Sequence, residues 1–146
     1  TVASGHRDCD FVFVGPSVGT PLPNEILKLP NVHVRKPVPF YALEDVLTGF
    51  DVNIIPNSIN AYTNGNDPIK IFDYLYCGRP IVATPTEGTQ EFSQLLHLAD
   101  DGEMFSRALE CALGDTASDA RRAAGLENSW LTRFISVKNV FRDLVC

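Results

Sequence analysis

Apolar residues along this chain come in short blocks divided by polar, Gly- and Pro-rich turns. The run Phe11-Val12-Phe13-Val14, ended by Gly15-Pro16, reads as a buried strand. Residues 17–23 are turn-rich, and residues 24–29 form at most a short helix stopped by Pro30. Residues 31–34 give a second strand. After Pro37 and Pro39, residues 41–48 read as a helix with Leu43, Val46 and Leu47 on one face, closed by Gly49. Residues 51–56 are a third strand, and the polar segment 57–66 leads to a helix over residues 67–78. Asp67 suits its N-cap and Pro68 its first position, where the missing N–H would be unpaired anyway; Gly78 can take the left-handed conformation that closes it. Pro80 prevents continuation. Ile81-Val82-Ala83, apolar and mostly β-branched, then reads as a central parallel strand covered on both faces.

Beyond that strand, the loop 84–89 precedes a short helix at 90–96 and an edge strand at 97–99. Met104, Phe105, Ala108, Leu109 and Ala112 recur at helical spacing within 103–113. Residues 118–145 carry Leu126, Trp130, Phe134, Val137, Phe141 and Leu144 on one stripe, as one long helix or two, with the aromatic members Trp130, Phe134 and Phe141 read as packing residues or, as the exception, as contacts to a missing N-terminal domain or a membrane surface. Strand and helix alternate, which predicts an α/β domain built on a mainly parallel sheet. Ligands of such sheets bind beyond the carboxyl ends of the strands. Gly15-Pro16 and residues 37–40, 57–67 and 84–89 fall on that edge.

Composition and charge narrow the function classes. A chain of 146 residues fits one domain; with only ten residues ahead of Phe11 and no initiator Met, an N-terminally incomplete domain is expected. The net charge of −6 argues against nucleic-acid binding, which needs a surplus of Lys and Arg. Cys9, Cys77, Cys111 and Cys146 form no C-x-x-C pair, so neither a disulfide framework nor a zinc site is signalled. A reducing, cytoplasmic setting is the expectation, as no apolar run approaches the ~18 residues of a membrane span.

The helix beginning at Pro68 points its unpaired N–H groups at the ligand edge, where they can receive an anion. Lys70 adds a full positive charge there, and Asn57, Ser58, Asn60, Thr63, Asn64 and Asn66 can hydrogen-bond phosphate or sugar hydroxyls. A purely structural role competes: Lys70 and Asp73, at i and i+3, could form an exposed ion pair worth only about 0.2–0.5 kcal/mol. His6, His33 and His97 have no second catalytic group beside them in sequence, and Glu87 and Glu91 fit exposed acids at a helix start as well as contacts to a sugar.

The order strand-Pro, polar loop, Pro68-x-Lys70-x-Phe72-Asp73-Tyr74-Leu75-x-x-Gly78-x-Pro80-Ile81-Val82-Ala83-Thr84 resembles the nucleotide-sugar-binding half of GT-B glycosyltransferases, the group-1 (family 4-like) enzymes in particular. Leu29-Pro30-Asn31-Val32-His33, Phe50-Asp51-Val52 and the 130–134 segment are similar to the same family's layout. The resemblance implies a Rossmann-like sheet with helices on both faces, one half of a GT-B architecture. It implies that Asp73 accepts hydrogen bonds from the nucleotide ribose and that Lys70 meets the diphosphate at the helix led by Pro68. Thr63, Asn60 and Asn57 would contact phosphate or donor sugar, with Gly15 and Glu87 on the same edge, and the Pro37-Val38-Pro39 turn would meet the base through backbone groups. No cofactor or metal is implied; the nucleoside-diphosphate sugar is a substrate. The partner implied is an N-terminal acceptor domain missing from this chain, with peripheral membrane contact, at the cytoplasmic face, a further option for the full-length enzyme.

Three departures from the family pattern stand out. Asp73 replaces the usual Glu, Gly65 occupies the position of a first acid, and Lys36 stands where Gly is common. The alternative from a different class is a non-catalytic nucleotide-binding or interaction module that pairs with a separate acceptor-binding subunit.

Overall fold

The structure, a computed structural model, describes residues 1–16, 22–65 and 68–145. Strands β1 (Phe11–Val14), β2 (Val32–Arg35), β3 (Asn53–Ile55), β4 (Ile81–Ala83) and β5 (His97–Leu98) alternate with helices α1 (Val2–Gly5), α2 (Asn24–Leu27), α3 (Leu43–Thr48), α4 (Ala61–Asn64), α5 (Lys70–Cys77), α6 (Glu87–Gln90), α7 (Gly102–Leu113), α8 (Ser118–Glu127) and α9 (Trp130–Val145). A 3₁₀ turn, Phe40–Ala42, leads into α3.

Every strand pair is parallel, as the alternation predicts. The expected single sheet is divided in two: β1 pairs with β2, setting Phe11 opposite Val32, while β4 lies between β3 and β5, setting Asn53 opposite Ile81 and Val82 opposite His97. The three-stranded sheet is covered on both faces because its side chains alternate. Ile55, Ile81 and Ala83 meet Ile71 and Leu75 of α5 together with Phe92 and Leu96. Val82 and Ile54 face the other way, onto Phe105 and Ala112 of α7 and Val2 of α1.

The helix expected over 67–78 begins at Lys70; Pro68 and Ile69 ahead of it are closed by 3₁₀-type bonds, the Ile71 amide donating to the Pro68 carbonyl at 2.8 Å and the Phe72 amide to the Ile69 carbonyl at 3.3 Å. Gly78 closes it at φ +74°, as expected. The N-cap assigned to Asp67 and the turns at 17–21 lie outside the described residues. The polar segment 57–66 contains a helical turn, α4, because Asn60 Oδ1 accepts the amides of Tyr62 and Thr63. The helix expected at 90–96 is instead the single turn α6, set earlier by the Thr86–Thr89 capping box. The stretch 118–145 divides into α8 and α9.

Two close approaches fix α8 against α5. Gly125 lets the helices touch backbone to backbone, since a Cβ there would lie 2.5 Å from the Tyr76 nitrogen. Arg121, 1% exposed, donates from Nε to the Gly78 carbonyl at 3.0 Å and from both Nη atoms to Asp115 at 2.9 and 3.0 Å. Asp115 also accepts from the Ala117 amide and pairs with His97 Nε2 at 2.8 Å. By contrast, Trp130, Phe134 and Phe141 of α9 are 78%, 65% and 63% exposed. This corrects their reading as packing residues: from α9 it is Arg133 that reaches back, 4.5 Å over the Phe72 ring.

Candidate functional site

Within each sheet the strands run in parallel, so the segments following β3 and β4 meet at one edge. The Asn57 amide donates to Thr84 Oγ1 at 3.1 Å, and Asn64 Nδ2 donates to Glu87 Oε1 at 3.3 Å. The edge therefore brings Asn57, Asn60, Thr63 and Glu87 together. Asn60 and Thr63 are largely spent on one another: the Asn60 amide donates to Thr63 Oγ1 at 2.9 Å, while that hydroxyl donates to the Ser58 carbonyl. They shape the loop through these bonds. Pro68 is buried under the first turn of α5, where Lys70 is exposed. Among the described residues Lys70 makes no ion pair with Asp73, so the structural alternative for that pair is not realised.

Asp73 stands between two clefts. One, of about 260 Å³, runs between α5 and α3 and is lined by Phe40, Tyr41, Glu44, Asp73, Tyr76 and Cys77. The other, of about 350 Å³, lies between α5 and the α8–α9 junction, with Asp73, Asn128, Trp130 and Arg133 on its walls. Partial burial raises the Asp73 pKa from its ordinary value. Burial, with the charges of Glu44 and Asp73, pushes the Cys77 thiol up to about 11. The smaller cleft is thus acidic, suited to accepting hydrogen bonds from hydroxyl or N–H groups and unsuited to a phosphate.

The Pro37-Val38-Pro39 turn follows β2 and enters that cleft's rim through Phe40 and Tyr41, which are 83% and 87% exposed. The sequence reading placed Phe40 on the ligand edge but did not single out Glu44 or Tyr41. Two consecutive aromatics immediately after a Pro-x-Pro turn, outside any apolar periodicity, were the available signal. Gly15 ends β1 at φ 153°, on the two-stranded sheet.

Each histidine is engaged structurally: His6 Nε2 with Ser106 Oγ at 2.9 Å, His33 Nε2 with Asp10 at 2.9 Å, and His97 with Asp115. At the amino end of β1, away from the ligand edge, ligand-capable atoms of His6, Asp8 and Cys9 lie within 4.8 Å of one another, a grouping the cysteine spacing did not signal. Burial, followed by the charges of Asp8, Asp10 and Asp51, raises the Cys9 pKa and favours its thiol form.

Comparison with known proteins places this architecture. Residues 1–115 match the family described as Glycosyl transferases group 1. A Bacillus subtilis (strain 168) protein named "Putative teichuronic acid biosynthesis glycosyltransferase TuaH" is 29% identical over 133 residues, a match covering 84% of this chain and 34% of that protein. The chain thus spans about a third of the length of this curated relative. With the parallel α/β layout and a family match over most of its residues, the chain belongs to the group 1 glycosyltransferases.

Proposed function

We propose that this chain is the donor-binding part of a GT-B glycosyltransferase and holds a nucleoside-diphosphate sugar at the carboxyl edge of its strands. The observation that carries it is the position of Asp73: a carboxylate with no hydrogen-bond donor on it among the described residues, in an acidic cleft rimmed by two exposed aromatic rings. The ribose diol donates to Asp73. The base lies against Phe40 and Tyr41 and is read by backbone groups of Val38 and Pro39. Lys70, one turn before Asp73, meets the diphosphate at the start of α5. Asn57 and Glu87 lie toward the sugar, with Asn60 and Thr63 holding the loop that presents them and Gly15 flanking the same edge.

In the transfer, the bond between the anomeric carbon and the diphosphate oxygen breaks, and its electron pair stays on the diphosphate. An acceptor hydroxyl oxygen bonds to the anomeric carbon and loses its proton. Stabilising the departing diphosphate is the contribution available to this chain. The acceptor, of the polysaccharide class suggested by the name of the relative, is held by a separate N-terminal domain, so this chain alone binds donor better than it turns it over.

Calorimetric titration with UDP, GDP, dTDP and their sugars, with and without Mg²⁺, tests this. Binding of at least one diphosphate nucleotide is expected; no binding of any would remove the basis of the proposal.

A further inference from the structure

Away from the ligand edge, the turn between α1 and β1 gathers three side chains that can ligate a metal ion: His6, Asp8 and Cys9. Their ligand atoms all lie within 4.8 Å of one another. A tetrahedral ion with bonds of ~2.0–2.3 Å needs its ligands about 3.5 Å apart, so about 1 Å of side-chain movement closes the set. Asp8 is exposed and His6 and Cys9 are half-buried, which leaves an ion a path from solvent.

The backbone here is fixed without an ion. The Cys9 amide donates to the His6 carbonyl at 3.2 Å, closing a four-residue turn that brings these two residues together. The Asn31 side chain, 5% exposed, shares its Nδ2 hydrogens among the carbonyls of Ala3, His6 and Cys9 at 3.0, 2.8 and 3.0 Å. Its Oδ1 is buried with no hydrogen-bond partner among the described residues, so this amide serves the turn alone. The His6 ring is held from a third element: Nε2 hydrogen-bonds Ser106 Oγ of α7 at 2.9 Å, which leaves Nδ1 for an ion. Metal-binding histidines are held in this way, by a hydrogen bond on the other ring nitrogen.

The donor set selects the ion. An imidazole nitrogen, a sulfur and a carboxylate oxygen suit a borderline-soft divalent ion, Zn²⁺ above all, whereas Mg²⁺ and Ca²⁺ prefer oxygen alone. The charges of Asp8, Asp10 and Asp51 all reach Cys9, so the field at the turn draws a cation.

We propose that His6, Asp8 and Cys9 form a site for a Zn²⁺-class ion that ties α1 and β1 to α7, with the fourth position left to water. On binding, the Cys9 thiol releases its proton to solvent as the sulfur–metal bond forms, and no electron is transferred. Val2 of α1 packs among Val52, Ile54 and Val82 of the three-stranded sheet, while the turn after α1 leads into β1 of the other. An ion at this turn therefore fastens the two sheets at the end opposite the ligand edge, and the proposal does not rest on the donor site.

Titration of the reduced, metal-free 146-residue chain with Co²⁺, followed by absorption spectroscopy, tests the site. One Co²⁺ per chain should bind with thiolate-to-metal charge-transfer absorption, and Zn²⁺ should displace it where Mg²⁺ does not. Cys9→Ser should abolish the charge-transfer band, Ser106→Ala should weaken binding by about 10- to 100-fold, and Cys111→Ser should change neither. At about 100 times its Kd, Zn²⁺ should raise the Tm of the parent by at least about 4 °C. A readout that needs no variant is iodoacetamide labelling of the parent, in which Zn²⁺ should slow reaction at Cys9 and leave exposed Cys111 unaffected. Absence of the charge-transfer band, its survival in Cys9→Ser, equal displacement by Mg²⁺, or labelling of Cys9 indifferent to Zn²⁺ would each overturn the proposal. So would one ion shared by two chains, which would make the contact intermolecular.

Discussion

Gly125→Ala probes the contact that sets the position of α5. The added Cβ would lie 2.5 and 2.6 Å from the Tyr76 nitrogen and Cα and 3.0 Å from the Leu75 carbonyl carbon, where ordinary contact begins at 3.4 Å. Both sides are helix backbone, so relief requires α8 to move out by roughly 1 Å, enough to forfeit a quarter to a half of the attraction across each affected contact. Arg121 lies one turn away on the same face, and its 3.0 Å bond to the Gly78 carbonyl would stretch with that movement. Overpacking costs about 1–3 kcal/mol and a weakened bond to a charged group about 1.5–3 kcal/mol. The better helix propensity of Ala returns about 1 kcal/mol. The net expectation is about 1.5–5 kcal/mol of lost stability, and a Tm lower by at least about 3 °C. Denaturant unfolding followed by circular dichroism measures it, with Gly102→Ala as the control because nothing lies within 4 Å of a Cβ there. A Gly125→Ala protein as stable as the parent, or a control that suffers equally, would refute the reasoning.

Asp115→Asn should cost about 3–5 kcal/mol at pH 7, because it leaves the buried Arg121 guanidinium without its carboxylate. The Arg121 pairing holds the folded Asp115 pKa well below the usual range. Its stabilisation is therefore complete above about pH 4 and declines as pH falls toward the folded value; urea midpoints of parent and variant should converge below pH 4, and parallel profiles would contradict this. Burial raises the Asp73 pKa, so its charged form is disfavoured by folding. Asp73→Asn should leave the unliganded protein as stable or slightly more stable at pH 7, and a clear loss in Tm would contradict that. In iodoacetamide labelling at pH 8 with peptide mapping, exposed Cys111 should react well before Cys77, which is buried and shifted to about 11; equal rates would show that the α3–α5 packing is open.

Much of the fold was legible because local signals agreed with tertiary demand. Ile81-Val82-Ala83 is a strand with its predicted bounds, and Gly78 takes the expected left-handed conformation. Asn60 and Thr63 show the limit of composition: both offer hydrogen bonds in a polar loop, but the loop uses them itself. Arg121 was hidden because, in a polar helix, nothing marks the one arginine whose side chain turns inward to Asp115 and Gly78. The stripe Trp130, Phe134 and Phe141 follows helical periodicity, which records that a face is apolar and says nothing about whether this chain covers it. The split of the sheet was likewise invisible, since strand pairing is a non-local property. At the site, the Lys70 and Asp73 motif located the helix and the sheet-edge reading reached Phe40, whereas Glu44 and Tyr41 joined it only through the packing of α3 on α5.

The division of labour between Lys70 and Asp73 is tested most directly by titrating the parent, Lys70→Ala and Asp73→Ala with a nucleoside, its diphosphate and inorganic diphosphate. Loss of a hydrogen bond to a charged group is worth about 1.5–3 kcal/mol, or about 10- to 100-fold in affinity. Asp73→Ala should lose that factor for nucleoside and nucleoside diphosphate while keeping inorganic diphosphate, and Lys70→Ala should lose it for both diphosphates while keeping nucleoside. Equal loss of inorganic diphosphate in the two variants would contradict the account.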